Sequence, residues 1–258
     1  GSVLQNTAVG GAAGGNLTIG QRSTFIGYAA GVAVTTAGSN TMMGWRSGYN
    51  TTTGGSNTFI GTYSGHTNQT GTQNVAVGIE ALYTADSGTN VAVGYRAARN
   101  NTGGGVIAIG PNSVYNNTAH QTIGIGNQAL YSNTSGVSNI AIGYFAGRYN
   151  ETGGGNVYIG HEAGEGVSGN SNTRNVGIGF NALEGITTGA DNTAIGQKAG
   201  HILTSGARNT FLGSFSAESL TTGNDNIIIG NEAGHDTNGN KAVIIGNYAG
   251  DDQSPTNA

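Results

Sequence analysis

The sequence predicts an all-β fold, a parallel β-roll or β-solenoid of about fifteen rungs of 16–17 residues each. Three observations predict it. A glycine closing a short apolar run recurs along almost the whole chain. Branched or aliphatic residues stand one position before it and β-branched ones three before it. A small residue always stands three positions after it.

The recurring glycine sets the period. It falls at Gly10, Gly27, Gly44, Gly61, Gly78, Gly94, Gly110, Gly126, Gly143, Gly160, Gly179, Gly196, Gly213, Gly230 and Gly246. Every step is 16 or 17 residues except the 19 between Gly160 and Gly179. A fixed period of this length is the signature of a stacked-repeat architecture. No helical pattern competes with it, and "NLTIG" at 16–20 reads as a loop inside the first step. At about 4.8 Å per rung, fourteen steps would span roughly 67 Å.

Each column of the repeat has its own chemistry. The position before the glycine holds only Val, Ile, Leu or Met, from Val9 to Ile245, and the position three before it only Thr, Val or Ile. A spacing of two places both on one face of a strand, and that face is expected to point inward. Three residues after the glycine stand only Ala or Ser, as where two backbones approach closely. Four before it, eleven of fifteen are Asn, as expected of amide ladders along a stack of turns. Turn clusters such as "TTGND" at 221–225 separate the rungs, and the marker glycine permits a corner.

The column two before the glycine alternates with the supposed inward pair and is expected to face outward. Its large members are Phe25, Met42, Phe59, Tyr158, Phe211, Ile228 and Ile244, and none of its fifteen residues is charged. A strand apolar on both faces is covered on both faces. These residues are therefore the candidate contacts with other copies of the chain.

Composition agrees with a fibre. Glycine is 49 of 258 residues, charged residues are 9%, and cysteine is absent, so disulfides and thiolate chemistry are excluded. No apolar run reaches the roughly 18 residues of a membrane helix, and no signal peptide is recognised. Gly1-Ser2 resembles a cloning remnant. The expected organisation is a lead-in at 1–5, one repeat domain at 6–250, and a tail at 251–258 leading towards a missing downstream domain. The net charge of −4 is split: residues 1–150 carry five Arg against two acids (+3), and residues 151–258 carry four bases against eleven acids (−7). Neither part has the dense basic stripe of a nucleic-acid binder.

With the rungs aligned, "NTAIGQKAG" at 192–200 resembles the repeats of trimeric fibrous adhesins. The β-roll heads of trimeric autotransporter adhesins carry a related rung. Phage tail-fibre repeats resemble this chain more closely, sharing elements such as "ALY" at 81–83 and "TTG" at 221–223. The resemblance covers about residues 6–250. It implies a left-handed roll, assembly as an intertwined or side-by-side homotrimer, and an extracellular setting on a virion tail fibre or bacterial surface. It implies attachment to a cell-surface receptor, with a glycan as the expected ligand.

The candidate receptor surface is the column five residues after the marker: Tyr49, His66, Tyr83, Arg99, Tyr115, Tyr131 and Arg148. Aromatic rings offer apolar faces to sugars, and Arg donates to hydroxyls or acidic groups. The plainer reading is that these rings stack on one another and seal the roll. From Glu165 the column turns acidic, with His201 and His235 among carboxylates. A rigid spacer, with binding done by another domain, is the main alternative function. A polysaccharide-cleaving fibre is a weaker one, because only Glu80 and Asp86 lie before residue 150 to form the carboxylate pair such chemistry uses. No catalytic residue, cofactor, metal or membrane insertion is expected. The Thr column at Thr7, Thr24, Thr41 and Thr58 turns to Val and Ile further on, which argues against an ice-binding face. The "GGxGxD" repeat of calcium-binding rolls is absent.

Overall fold

The computed structural model describes residues 5–235 and 239–250, so the tail at 251–258 and most of the lead-in lie outside the described residues. The chain forms two compact units, Gly1–Thr134 and Ser135–Ala258. Among the described residues there is no helix, and every strand is three residues long. The first unit holds β1 (Thr7–Val9), β2 (Thr24–Ile26), β3 (Thr41–Met43), β4 (Thr58–Ile60), β5 (Val75–Val77), β6 (Val91–Val93), β7 (Ile107–Ile109) and β8 (Ile123–Ile125). The second holds β9 (Ile140–Ile142), β10 (Val157–Ile159), β11 (Val176–Ile178), β12 (Thr193–Ile195), β13 (Thr210–Leu212), β14 (Ile227–Ile229) and β15 (Val243–Ile245). Each unit is a parallel β-solenoid in which every strand pairs with the next one along the chain.

Pairing joins like columns to like. Thr24, Phe25 and Ile26 face Thr41, Met42 and Met43, and the same register continues from β9 to β15. The long 19-residue step keeps register too, with Val157 opposite Val176. Its extra residues are shed to the surface at Val167, Ser168 and Gly169, all exposed. Residues 16–20 contain no strand, in line with a loop.

The marker glycines adopt φ of 122–142°, a region open essentially to glycine alone. They also meet face to face across rungs: a Cβ on Gly61 would lie 2.5 Å from the carbonyl oxygen of Gly78. Two positions further on, all fifteen residues are non-glycine yet left-handed, with φ of 52–58°. Most of their N–H groups still bond the previous rung, as Arg46 does to the Tyr28 carbonyl at 2.9 Å. This bond offsets a conformation that costs about 1–2 kcal/mol.

The Asn column is buried and hydrogen-bonded from rung to rung. Asn40 Oδ1 accepts the Asn57 backbone N–H at 2.9 Å, and Asn57 Nδ2 donates to the Gly71 carbonyl at 2.9 Å. In the second unit amide also meets amide, as Asn192 Nδ2 donates to Asn175 Oδ1 at 2.9 Å. A second ladder, not anticipated, runs seven residues after the marker: Asn117 donates to Asn101 and Asn133 to Asn117, at 2.7 and 2.8 Å.

The structure corrects the assignment of strand faces. Phe25, Met42, Phe59, Tyr158, Phe211 and Ile228 have no exposed surface within the single chain, and Ile244 is half-buried. They form the core and cannot serve as contacts between copies. The columns expected inside are the outward ones: Val9, Ile60, Val93, Ile109, Ile142, Ile195 and Leu212 are all exposed large apolar residues. The reason is room. The interior of a rung holds one strand-derived side chain, which faces the fourth residue after the marker, and on several rungs a large residue at one position is matched by a small one at the other. Phe59 lies against Gly65, where an added Cβ would stand 2.5 Å from its ring. On the next rung Ala76 is followed by Leu82, which is fully buried although left-handed at φ 49°. Gly124 with Leu130 and Gly177 with Leu183 repeat the small–large exchange. The constant Ala or Ser column is buried as expected, from Ala30 to Ala233. Tyr158 puts a hydroxyl into this core and donates it to Asn172 Oδ1, while burial pushes its ionisation far upward.

The exchange of volume makes a test. Phe59→Ala should cost about 3–5 kcal/mol as a cavity, measured by denaturant unfolding. Adding Gly65→Leu to it copies the Ala76–Leu82 rung and should recover a large part of the loss. Gly65→Leu alone should destabilise by at least about 1–3 kcal/mol through overpacking. Equal stability of the single and double variants would show that the two positions do not share a volume.

Candidate functional site

From Val32 to His235 the fifth residue after each marker follows two left-handed positions and stands half-buried at the surface, including Tyr49, His66, Tyr83, Arg99, Tyr115, Tyr131 and Arg148. In the first unit the predicted residues come together as a stack. Tyr49 and His66 have ring centroids 5.3 Å apart, and His66 and Tyr83 4.8 Å, with planes 5° from parallel in both pairs. The Arg99 guanidinium continues the stack 4.8 Å over Tyr83 and 6.0 Å from Tyr115, which in turn stacks on Tyr131 at 5.0 Å. These spacings are those of neighbouring rungs, about 4.8 Å. The rings therefore face one another along the stack, and their edges look outward. A sugar approaching this column meets edges where free ring faces were expected.

The columns one and two after the marker carry aromatic and charged side chains that the sequence reading did not select. Trp45 packs edge-on against Tyr63 at 4.6 Å, and Tyr63 edge-on against His66 at 4.9 Å. Arg46 lies 4.8 Å over Trp45 and 5.1 Å over Tyr49. Burial first, and the Arg46 charge second, hold His66 below its ordinary value, so its ring is neutral at neutral pH. Further along, Glu80 accepts from Arg96 Nε at 2.8 Å and Arg99 Nε at 2.6 Å. Burial alone would raise the Glu80 carboxyl, but these hydrogen bonds outweigh it and hold it below its usual value. The signal for these side chains was present in the sequence: Tyr28, Trp45, Tyr95, Tyr144 and Phe180 all directly follow a marker.

In the second unit the same stripe is ionic. Arg148 lies 4.1 Å over Phe145 and 4.7 Å over Tyr149, and reaches Glu165 at 3.4 Å. His201 stands 2.8 Å from Glu184 and 3.9 Å from Glu218, and His235 3.5 Å from Glu218. Carboxylate oxygens of Glu162, Glu165 and Glu184 lie within 4.8 Å of one another. Asn181 Nδ2 donates to Glu162 at 3.1 Å and also to Glu184. Burial, then the neighbouring Glu162, raise the Glu165 carboxyl despite Arg148. In the column one residue after the marker, His161 is sandwiched between Tyr144 and Phe180 at 5.1 and 4.9 Å.

No protein-family model, curated protein or solved structure matches the chain, so the reading of these stripes rests on their own geometry. The stack in the first unit predicts that Tyr83→Ala with Tyr115→Ala destabilises the protein by about 1.5–4.5 kcal/mol, at 0.5–1.5 kcal/mol for each of three lost ring pairs. Thermal melting followed by circular dichroism checks this, and an unchanged midpoint would show the rings to be idle. For Glu165 the folded value lies above the ordinary 4.5, so its contribution to stability is present below 4.5 and is lost as pH rises through the folded value. Glu165→Gln should therefore raise the melting temperature at neutral pH. The difference from wild type should shrink as pH falls to the ordinary carboxylate value.

Proposed function

We propose that this chain is a segment of an extracellular trimeric fibre that attaches to a cell-surface receptor, with a glycan as the ligand. The left-handed coil and threefold assembly implied by the adhesin resemblance belong to this reading. One observation carries it. The outward strand face is built from the columns one and three before the marker, and none of these positions, two on each of fifteen rungs, is charged. Its members remain partly exposed, as with Val9 at 56% and Ile109 at 38%. Parallel sheets are ordinarily covered on both faces, and soluble proteins rarely leave a long apolar patch open. Full burial of a Val or Ile side chain contributes about 1.5–3 kcal/mol, so covering the half-exposed pair would add on the order of 1 kcal/mol per rung. Like copies side by side supply that cover, since each presents the same columns at the same spacing.

A rigid spacer is the second reading, and the ring stack favours it, because rings that cover one another's faces serve stiffness before recognition. Cell adhesion separates the two: a receptor-binding segment adheres by itself to intact bacterial cells, whereas a spacer does not.

Assembly is tested by light scattering. The chain mass is 25.7 kDa, and the expected particle has three times that. Ile109→Asp on the outward face should release folded single chains. Phe59→Asp should instead unfold its unit, since a charge buried without a partner costs several kcal/mol. A wild-type particle of one chain mass at micromolar concentration would overturn the assembly.

A further inference from the structure

Arg46 stands apart from the other arginines of the first unit. It is half-buried, yet among the described residues its guanidinium makes no hydrogen bond and no ion pair, and its Nε is buried without a partner. His66 Nδ1, in the same aromatic cluster, is likewise buried without one. Arg22 is simply exposed to solvent. Arg96 and Arg99 show the completed form of the arrangement: each lies over a ring, Tyr95 at 4.9 Å and Tyr83 at 4.8 Å, and both donate through Nε to Glu80. A guanidinium bedded on aromatic rings in this stripe is matched by a carboxylate. Arg46 has the bed, Trp45 and Tyr49, without the carboxylate.

The first unit has no acid left to supply one. Its acids are Glu80, already shared by two arginines, and Asp86, whose Oδ1 accepts the Gln69 and Thr70 N–H groups at 2.8 and 2.7 Å. Further copies of this unit in a parallel assembly bring only the same engaged pair. Beside Arg46 the Trp45 residue is 41% exposed. The cluster thus offers one unpaired cation next to a partly exposed aromatic side chain. A carboxylated sugar carries the matching features on one small scaffold: a carboxylate for the fork of an arginine, and C–H faces for an aromatic ring. With His66 neutral, the positive charge of the cluster is that of Arg46 alone.

We propose that Trp45, Arg46, Tyr49, Tyr63 and His66 form a binding site for a carboxylated sugar, a uronate or a sialate residue of a surface glycan. The source of the sugar rests on the adhesin reading, whereas the chemistry of the site does not.

Trp45 is the chain's one tryptophan, so intrinsic fluorescence reports on this cluster. The intact protein is titrated with 3′-sialyllactose and with trigalacturonate, using maltotriose as the neutral control. The expected result is a saturable change in emission with one of the acidic sugars, which also tells sialate from uronate, and none with maltotriose. Arg46→Gln should weaken binding about tenfold or more, as loss of a charge-assisted contact does. Gln is tolerated by this left-handed position, because Gln128 occupies it at φ 53°. Arg96→Gln, on a paired arginine outside the cluster, should bind as wild type. The site is refuted if neither acidic sugar changes the emission up to about 10 mM, weaker than any affinity of use. It is equally refuted if Arg46→Gln binds as tightly as wild type. Adhesion of the same protein to bacterial cells is scored separately. Adhesion without a fluorescence response sinks the site and leaves the adhesin reading standing. A saturable response without adhesion supports the site and removes the adhesin reading.

Discussion

Within each unit the carbonyl of one marker glycine occupies the space that a methyl group on the glycine of the preceding rung would need. That contact fixes the distance and register of successive rungs, and the remaining structure follows from it. Because rungs stack in register, Asn meets Asn, small residue meets small residue, and ring meets ring. The strands are too short to be stable by their own pairing, and each rung is held chiefly by the two beside it. Stability is therefore repeated in small amounts along each unit, through buried amide ladders and a thin apolar core.

Much of this was legible in the sequence. The period, the strands, the small-residue column, the loop at 16–20 and the Asn column could all be read from spacing, since stacking in register leaves a periodic record. Strand faces were a different matter. Alternation divides a strand into two sides without saying which is inside, and here neither side carries a charge. The deciding clue was reciprocity of size: Phe59 is followed six residues later by Gly65, and Ala76 by Leu82. Only an enclosed volume imposes such an exchange. Residues on the outward side, such as Ile60 and Val77, show no matching partner.

The candidate site was legible in part for a related reason. Spacing located Tyr49, His66 and Tyr83 in one column, but the orientation of a ring is set by what lies one rung away. At a pitch near 4.8 Å, adjacent planar side chains lie face to face and leave their edges to solvent. Trp45 and Arg46 escape that arrangement because their column neighbours differ in kind: Tyr28 and Thr62 flank Trp45, while Ala29 and Tyr63 flank Arg46. A break in a column's pattern marks a place where the stack stops serving itself. In the acidic stripe of the second unit the pattern is ionic, and Glu165 shows that even there like charges are crowded.

The long step between β10 and β11 shows how a chain of this kind can change its length. Its surplus residues leave the stack at Val167–Gly169, and the strands on either side pair as though nothing had been added. Gly169 has open space around it, with no atom within 4 Å of where a side chain would begin. Growth by whole rungs lengthens the stack, whereas growth at such an outer turn decorates it. Evolution can thus vary reach and surface independently, and a foreign peptide inserted at Gly169 would be displayed without disturbing the columns beneath.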